Sequence, residues 1–405
     1  MGPKLLVVGA GAMRSGAFGL WRRMGLEVIL VDGTSASQYQ ELADSYIALD
    51  PRDGTAAYER IKDLAAGCDG VTTLADGSQQ LVAEIAAELG LPGSGVQAAA
   101  AARSKAVQRE LCEQAGMVTP RWRTVRSERD LQEFFGDRKI DAVLKPTDAT
   151  GGSGVLAVST VAAALREWPI VRTLSRQRIG VVEELVEGRE VCVEAVLSQG
   201  EPVAVSITEA EHGVGPGFVC TAGRVASVQP DHAIASAQAA QLGAVLGLSD
   251  GILHAEFKVG PSGWTLLETA VRPGGALVPD MTRLATGTDL YRAQALQALG
   301  QDPRAATGAP TAPYAQVRYL VATGRVRRFV PPAEVLDGLP DVLLLCQQGH
   351  PGQQLRSPLS DGGRAGYALG CGDDPERLDE QLRTALTRLC AGMGLTVVDR
   401  ASAQE

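Results

Sequence analysis

Two glutamates near the middle of the chain have the spacing expected of a magnesium site. Glu256 lies in one apolar segment and Glu268 in the next, and the turn Gly-Pro-Ser-Gly at 260–263 separates them. The turn predicts a hairpin that places both carboxylates at similar depth on one face. Mg²⁺ takes such oxygen ligands, keeps several waters and shares phosphate oxygens. The alternative is a salt bridge from Glu268 to Lys258 or Arg272, because a buried carboxylate without a partner is costly.

A lysine and a glycine-rich turn form a second candidate site. Lys145 ends a predicted strand, and Gly-Gly-Ser-Gly follows at 151–154. Glycines let backbone N–H groups approach phosphate oxygens, and the lysine adds a positive charge. This is not a Walker A loop, because no Gly-Lys-Ser/Thr follows. A purely structural glycine hairpin remains the alternative.

Four glutamates at 183, 184, 187 and 190 mark a third candidate. They lie on a predicted strand that bends at Gly188. Such a bend suits adenosine, because backbone groups can read the purine edge while a carboxylate accepts hydrogen bonds from ribose hydroxyls. The alternative is a solvated strand edge.

A fourth pattern, Gly9-Ala10-Gly11 with Asp32 ending the next strand, is similar to a dinucleotide fingerprint. The third glycine is missing, because Arg14 stands where it is required. We therefore interpret this segment as a strand–helix turn that binds no nicotinamide.

The elements that must position these residues change type along the chain. Strands at 5–11, 27–33, 45–49 and 70–74 alternate with helices at 55–67 and 78–90, which predicts a parallel sheet covered on both faces. One Ala-rich helix is predicted at 94–116, an α+β segment from 120, long strands at 189–270, a linker at 301–313 and a mixed final segment. The predicted fold class is α/β and α+β, with units 1–116, 117–188, 189–312 and 313–405.

Composition excludes several classes of function. The formal charge of −9 argues against a large nucleic-acid footprint, which needs clustered Lys and Arg. Seven scattered cysteines and four widely spaced histidines predict neither disulfides nor a zinc cluster. No apolar run approaches the ~20 residues of a membrane span, and the N-terminal residues do not have the pattern of a signal peptide. We expect a cytoplasmic protein that binds neither nucleic acid nor membrane.

Together the three segments resemble the ATP-grasp superfamily over nearly the whole chain. The resemblance implies a Rossmann-like N-terminal domain, a small lid subdomain and a larger mixed β subdomain that close on ATP. By this resemblance Arg272 and Lys145 are catalytic, Arg272 as the cation that steadies the γ-phosphate and acyl phosphate. The implied nucleotide contacts are Lys105, Lys145, Gly151, Gly152, Ser153, Gly154, Val155, Glu183, Glu184, Val186 and Glu190. The implied metal ligands are Glu256 and Glu268, with two Mg²⁺ ions, or Mn²⁺ in their place. Ala270 departs from the family pattern Glu-x-Asn-x-Arg.

Within the superfamily, the chain looks most like the amino-acid ligases of peptide biosynthesis, including carnosine-synthase-like enzymes. This resemblance rests on the segment Arg272-Pro-Gly-Gly, the stretch 287–300 and Gly366-Tyr367. This resemblance implies a small-molecule carboxylate and an amine joined through an acyl phosphate, and it leaves a homodimer open. The Gly-rich segment 209–218 should face the cleft. The substrate candidates are His212, Arg224 (or equally Arg318), Arg272, Gly274 and Gly275. The alternatives are a purine-pathway or carboxylase-like ATP-grasp enzyme, or a regulatory module or inactive paralogue.

Overall fold

The computed structural model describes residues 2–33, 39–213, 218–261, 263–357 and 360–398. Its first sheet is parallel, in the strand order β3-β2-β1-β4. Alternate residues of β1 pack on Trp21 at one face and on Ile85 at the other, so both faces are covered as predicted. The elements are β1 (Lys4–Val8), α1 (Ser15–Arg23), β2 (Glu27–Asp32), β3 (Ser45–Ala48), α2 (Gly54–Ala65), β4 (Gly70–Thr72) and α3 (Gln79–Leu89).

The Ala-rich segment is not one helix, as the sequence predicted, but two: α4 (Val96–Ala102) and α5 (Lys105–Gln114). The first helix ends at Ala102, and Ser104 caps the second helix, because its hydroxyl accepts from the Val107 N–H. A serine competes well for a helix N-terminus even within a good helix-forming segment. The Lys105 N–H donates to the Thr147 carbonyl at 2.9 Å. The break therefore attaches the start of α5 to the segment after Lys145.

A second, antiparallel sheet has the strand order β5-β8-β6-β7. Its helices pack Leu131, Phe135 and Trp168 into one small core. The hairpin from β6 to β7 carries the glycine-rich turn at 151–154. The elements are β5 (Trp122–Val125), α6 (Glu128–Phe135), β6 (Ala142–Pro146), β7 (Leu156–Val158), α7 (Val161–Leu174) and β8 (Gly180–Glu184).

The third sheet, here called the central sheet, has the order β13-β12-β9-β10-β11-β14-β18-β16. It is continuous across the expected boundary at 312/313, because β14 pairs with β11. From 189 to 312 the elements are β9 (Arg189–Ser198), β10 (Glu201–His212), β11 (Cys220–Ala226), α8 (His232–Leu246), β12 (Gly251–Gly260), β13 (Gly263–Ala270), α9 (Val278–Thr286) and α10 (Leu290–Ala298).

The last segment packs the long helix α12 on β14, β16 and β18 through Leu378, Leu382 and Leu389. A short sheet has the order β17-β15-β19. None of the described helices is both long and apolar enough to cross a membrane. The elements are β14 (Tyr314–Leu320), β15 (Ala322–Arg325), α11 (Pro332–Val335), β16 (Val342–Gln347), β17 (Gln354–Leu355), β18 (Gly366–Gly372), α12 (Pro375–Met393) and β19 (Thr396–Val397).

Candidate functional site

One face of the central sheet collects the acidic side chains of β9, β12 and β13. The segments on either side of the turn at 260–263 form the predicted hairpin, β12–β13, and a register shift between Glu256 and Phe257 brings Glu256 opposite Glu268. On the other side of β12, His254 is paired with Glu194 and Lys258 with Glu190. Alternate residues of a strand share a face. The register therefore produces a ladder of charged groups across three neighbouring strands.

The Glu256–Glu268 pair can hold a hard cation. The two side chains are 34% and 31% exposed, so neither carboxylate is sealed in the core. The described residues contain no group of three or more side chains that could bind a metal on their own. Mg²⁺ does not need one, because it completes its shell with waters and substrate phosphates. The two carboxylates fit Mg²⁺ in chemistry and placement, and buried Ala270 adds no ligand.

A buried histidine holds Glu256 in place. His254 contacts Glu194 through Nδ1 and Glu256 through Nε2, the latter at 3.3 Å. Burial disfavours the imidazolium, but Glu194 and then Glu256 raise the pKa of His254 to about 10. Both ring N–H groups therefore donate to carboxylates. Glu194 also accepts from the Gly274 N–H at 2.9 Å and so ties the histidine to the Arg-Pro-Gly-Gly turn.

The two predicted phosphate lysines approach the same strand, β13. Lys105 Nζ lies 3.0 Å from Glu268 Oε1, and Lys145 Nζ donates to the Leu267 carbonyl at 3.5 Å. Both side chains are buried. Burial lowers the pKa of Lys145. The negative charge of Glu183 raises this pKa, the positive charges of Arg109 and Lys105 lower it, and the net shift is downward. This arrangement concentrates positive charge beside the candidate metal ligands.

Glu183 forms the centre of a buried ion network. Its carboxylate lies 2.8 Å from Lys145 Nζ and 2.9 Å from Arg109 Nε. Burial pushes the pKa of Glu183 upward, but the two cations together hold it below the usual value. Arg109, which is fully buried, also donates to the Leu267 carbonyl at 2.7 Å. In this geometry Glu183 orients Lys145, a contact that the sequence did not predict.

Arg272 is anchored to the N-terminal domain. Its Nε donates to Asp76 Oδ1 at 2.7 Å. Burial would lower the pKa of Arg272, but Asp76 raises it. Gln79 completes the junction: its Nε2 donates to Asp76 Oδ1 at 3.2 Å, and its Oε1 accepts from the Val271 N–H at 2.8 Å. The candidate γ-phosphate cation is thus fixed across the interface between two domains.

The glycine-rich turn lies over this centre. Gly151, Gly152 and Gly154 have φ between +61° and +72°, a region that glycine adopts without strain. Lys105 Nζ donates to the Ala149 carbonyl at 2.7 Å. On the other side, the Gly151 carbonyl accepts from the Asp361 N–H at 3.1 Å, so the final segment of the chain also contacts the turn.

The predicted adenosine residues are divided between two places. Glu190 lies 3.3 Å from His212 and 3.1 Å from Lys258, so the substrate candidate His212 is beside the expected ribose carboxylate. Burial raises the pKa of Glu190. The Glu184 side chain is not brought to the site, because strand alternation turns it outward to Arg121 at 2.7 Å. Val186 follows β8 and is half-buried.

The remaining substrate candidates differ in their exposure and in the residues that they contact. Arg224 is an exposed partner of Glu209 at 2.8 Å, and Arg318 is paired with Asp379. The N–H of the substrate candidate Gly274 donates to Glu194 and is therefore not free to contact a substrate. A side chain added at Gly275 would meet open space. Of the Gly-rich segment 209–218, positions 214–217 lie outside the described residues.

Two residues with a strained backbone conformation come directly after the turn that begins at Arg272. Ala276 and Leu277 both have positive φ, at 54° and 61°, although neither is glycine. Such residues cost roughly 1–3 kcal/mol each and persist only where the surroundings impose them. The Tyr319 hydroxyl donates to the Ala276 carbonyl and supports this turn from β14.

Sequence reasoning did not identify Asp76, Gln79, Arg109 and Glu194, or assign a role to His254. Some local signals were available. Asp76 follows the carboxyl end of a parallel strand, where ligands of α/β sheets bind. Arg109 lies four residues after Lys105 on one helix face. Glu194 shares the alternation of Glu190, but its contact with His254 depends on the pairing of β9 with β12.

Two family models match the chain. Residues 138–280 match the ATP-grasp domain, and residues 21–93 match the ATP-grasp N-terminal domain. The first match contains Lys145, the glycine-rich turn, the Glu256–Glu268 pair and Arg272. Together the two matches span more than half of the chain.

Individual proteins are similar over longer stretches. Carnosine synthase 1 from Gallus gallus is 27% identical in an alignment 335 residues long, which covers 75% of this chain but only 36% of that protein. The structure of an L-amino acid ligase from Bacillus licheniformis has a TM-score of 0.80 at 18% identity, over 98% of this chain and 99% of the other. Phosphoribosylglycinamide synthetase from Anaerococcus prevotii has a TM-score of 0.74 at 17% identity, also over 98% and 99%.

The chain spans about a third of the length of the curated relative that it matches. At these identities the solved structures show the fold alone. Other structures with this fold contain ADP or magnesium-bound ADP. The two family matches and the fold agree with the resemblance predicted from the sequence, and the chain belongs to the ATP-grasp superfamily.

Proposed function

We propose that this chain is an ATP-dependent carboxylate–amine ligase that joins amino-acid-like substrates through an acyl phosphate. One observation carries the proposal. Glu256 lies opposite Glu268, and Lys105 contacts Glu268 and also donates to the Ala149 carbonyl, two residues before the glycine-rich turn. Metal-binding carboxylates, lysines and glycine N–H groups are the set needed to position a nucleoside triphosphate and neutralise its charge.

Activation would begin when a substrate carboxylate oxygen attacks the γ-phosphorus. The phosphorus–oxygen bond to ADP breaks, and ADP leaves with the electron pair. Lys145, oriented by Glu183, and Arg272, oriented by Asp76, would offset the negative charge that develops. Mg²⁺ held by Glu256 and Glu268 would supply further positive charge. The glycine-rich turn would exclude water from the acyl phosphate.

Ligation follows when an amine nitrogen attacks the acyl carbon. The tetrahedral intermediate collapses by breaking the carbon–oxygen bond to phosphate, and the proton on nitrogen passes to the departing phosphate. Arg272 and the Gly275 N–H would stabilise the oxyanion, and a side chain added at Gly275 would meet open space. Gly274 instead positions Glu194 and, through it, His254.

Support for the amino-acid branch comes from the match with carnosine synthase 1 and the fold shared with L-amino acid ligase. The test is hydroxamate formation from hydroxylamine and ATP across a panel of amino acids. Hydroxylamine traps an acyl phosphate, so a ligase should give ADP and a hydroxamate with its own carboxylate. ATP cleavage stimulated by bicarbonate or a ribotide, with no amino-acid hydroxamate, would instead support a carboxylase-like or purine-pathway enzyme.

A further inference from the structure

A cavity of about 540 Å³ lies between the N-terminal domain and the far end of the central sheet. Its walls come from β4, the loop after α3, the β9–β10 turn, the start of β12 and α10 with the loop that follows it. Ligand pockets typically occupy roughly 300–1,000 Å³ and often form at domain interfaces. The cavity is therefore large enough for a small molecule, and it is distinct from the pocket under the glycine-rich turn.

One side chain separates the two pockets. Gln79 lines the large cavity and also the small pocket formed by Lys105, Glu268 and residues 147–150, which lead into the glycine-rich turn. Arg272 lines the large cavity as well. Within the part of the chain that the structure describes, the Gln79 amide is hydrogen-bonded to Asp76 and to the Val271 N–H. The cavity thus reaches the back of the proposed reaction centre, opposite the turn that would cover the nucleotide.

The mouth of the cavity carries charges of both signs. Asp250, Asp302 and Arg304 line it and are exposed, and Arg304 lies 3.4 Å from Asp302. Two carboxylates and one guanidinium leave a negative balance that attracts a cation from solvent. A zwitterion suits this mouth, because its ammonium group can pair with Asp250 or Asp302 and its carboxylate can pair with Arg304.

The floor of the cavity is polar and buried. Thr72, Thr73 and Gln294 are less than a tenth exposed. Gln294 Nε2 donates to the Thr73 carbonyl at 2.7 Å, and because that carbonyl can only accept, the amide oxygen points elsewhere. Gln294 Oε1 accepts no hydrogen bond from any described residue. An acceptor left without a donor is costly in the interior, and a ligand N–H group would satisfy it after a small side-chain movement.

We propose that this cavity is the entry and holding site for the amine substrate, an amino acid, which reaches the acyl phosphate past Gln79. The inference rests on the proposed ligase function. An acyl phosphate must be kept from water. If the amine entered beneath the glycine-rich turn, that turn would have to open after activation and expose the intermediate. A second route lets it remain closed while the nucleophile arrives.

The test compares two nucleophiles on one acyl phosphate. Each of the twenty proteinogenic amino acids competes with hydroxylamine, and the concentration that halves hydroxamate yield is measured. Ser94→Phe narrows the cavity. Asp250→Asn removes one negative charge from the mouth but keeps a side-chain oxygen, which can still accept the hydrogen bond that the Gln199 N–H donates to Asp250 at 3.0 Å. Both should raise that concentration about tenfold, equivalent to about 1.4 kcal/mol, with hydroxamate formation alone changed little. Ser227→Phe, at an exposed turn, is the size-matched control.

The outcomes separate the two proposals. Competition weakened in both cavity variants but not in the control supports the amine site. If wild-type protein forms hydroxamate but no amino acid competes, or if both cavity variants compete normally, the amine site is overturned and the ligase stands. If wild-type protein forms no hydroxamate with any amino acid, the ligase function is overturned, and the amine site with it.

Discussion

Replacing Glu183 by glutamine should destabilise the protein far more than the same change at its neighbour Glu184. Glu183 is 3% exposed and is the shared partner of Lys145 and Arg109, themselves buried. Glutamine keeps the shape but leaves two buried cations without a counter-charge. Removing one partner of a buried ion pair costs about 3–5 kcal/mol, because the remaining charge is uncompensated.

Glu184→Gln is the matched control. Glu184 and Arg121 are 41% and 38% exposed, and an exposed pair contributes about 0–1 kcal/mol. Urea unfolding followed by tryptophan fluorescence includes this subdomain, because two of the four tryptophans, Trp122 and Trp168, lie within it. The difference between the two free energies of unfolding should be at least about 2 kcal/mol.

Catalysis gives a second readout of the same pair of variants. Glu183→Gln should reduce kcat for hydroxamate formation even where the protein is fully folded, because Lys145 loses the group that orients it. Glu184→Gln should leave kcat near the wild-type value. If both variants lost the same small amount of stability, or if Glu183→Gln kept full activity, the buried network would not have the role assigned to it.

Three further changes have defined outcomes. Glu268→Gln should abolish ATP cleavage with a circular dichroism spectrum near native; an active variant would contradict the metal assignment. Gly152→Val should lower kcat strongly while lowering the melting temperature only as much as its control, Gly116→Val. Gly116 has a similar positive φ (+69° against +71°) and faces open space, so the control should lower the melting temperature and leave kcat unchanged. Asp76→Asn should be less stable than wild type at pH 7. Burial opposes ionisation of Asp76, but Arg272 holds its pKa below the usual value, so the stabilisation exists above about pH 4 and is lost as the pH falls through the lowered pKa. The difference between the melting temperatures of the two proteins should therefore narrow below that pH.

Local patterns predicted much of the fold. The turn at 260–263 was sufficient to predict the β12–β13 hairpin and the similar depth of Glu256 and Glu268. The register that this turn sets, which pairs Phe257 with Leu266, would by itself place Glu256 opposite Leu267. A bulge between Glu256 and Phe257, which the sequence did not predict, brings Glu268 opposite Glu256 instead. The alternation of strands and helices predicted the first parallel sheet. The helix break at Ser104 was missed because alanines on one side and Lys105 with its successors on the other all favour a helix. The deciding contact, from the Lys105 N–H to the Thr147 carbonyl, is distant in sequence.

The buried partners could not be predicted for the same reason. Glu194 meets His254 only because β9 pairs with β12 in one register, across 60 residues of chain. Asp76 meets Arg272 across 196 residues. The position of Asp76 after a parallel strand was a local signal for a site, but it did not show that this carboxylate orients Arg272. Motif resemblance identified groups expected to touch the nucleotide, whereas tertiary structure alone identified the groups that hold them.

The continuity of the central sheet limits how this protein can be recombined with its relatives. β11 is paired with β14 from Ala222↔Arg318 to Ala226↔Tyr314. A fragment ending at residue 280 would contain the matched ATP-grasp segment but would leave β11 as a bare edge. Unpaired N–H and C=O groups on such an edge recruit strands from other molecules. Chimaeras that exchange the last hundred residues must therefore preserve this ladder, and grafts that aim to change specificity are better confined to loops.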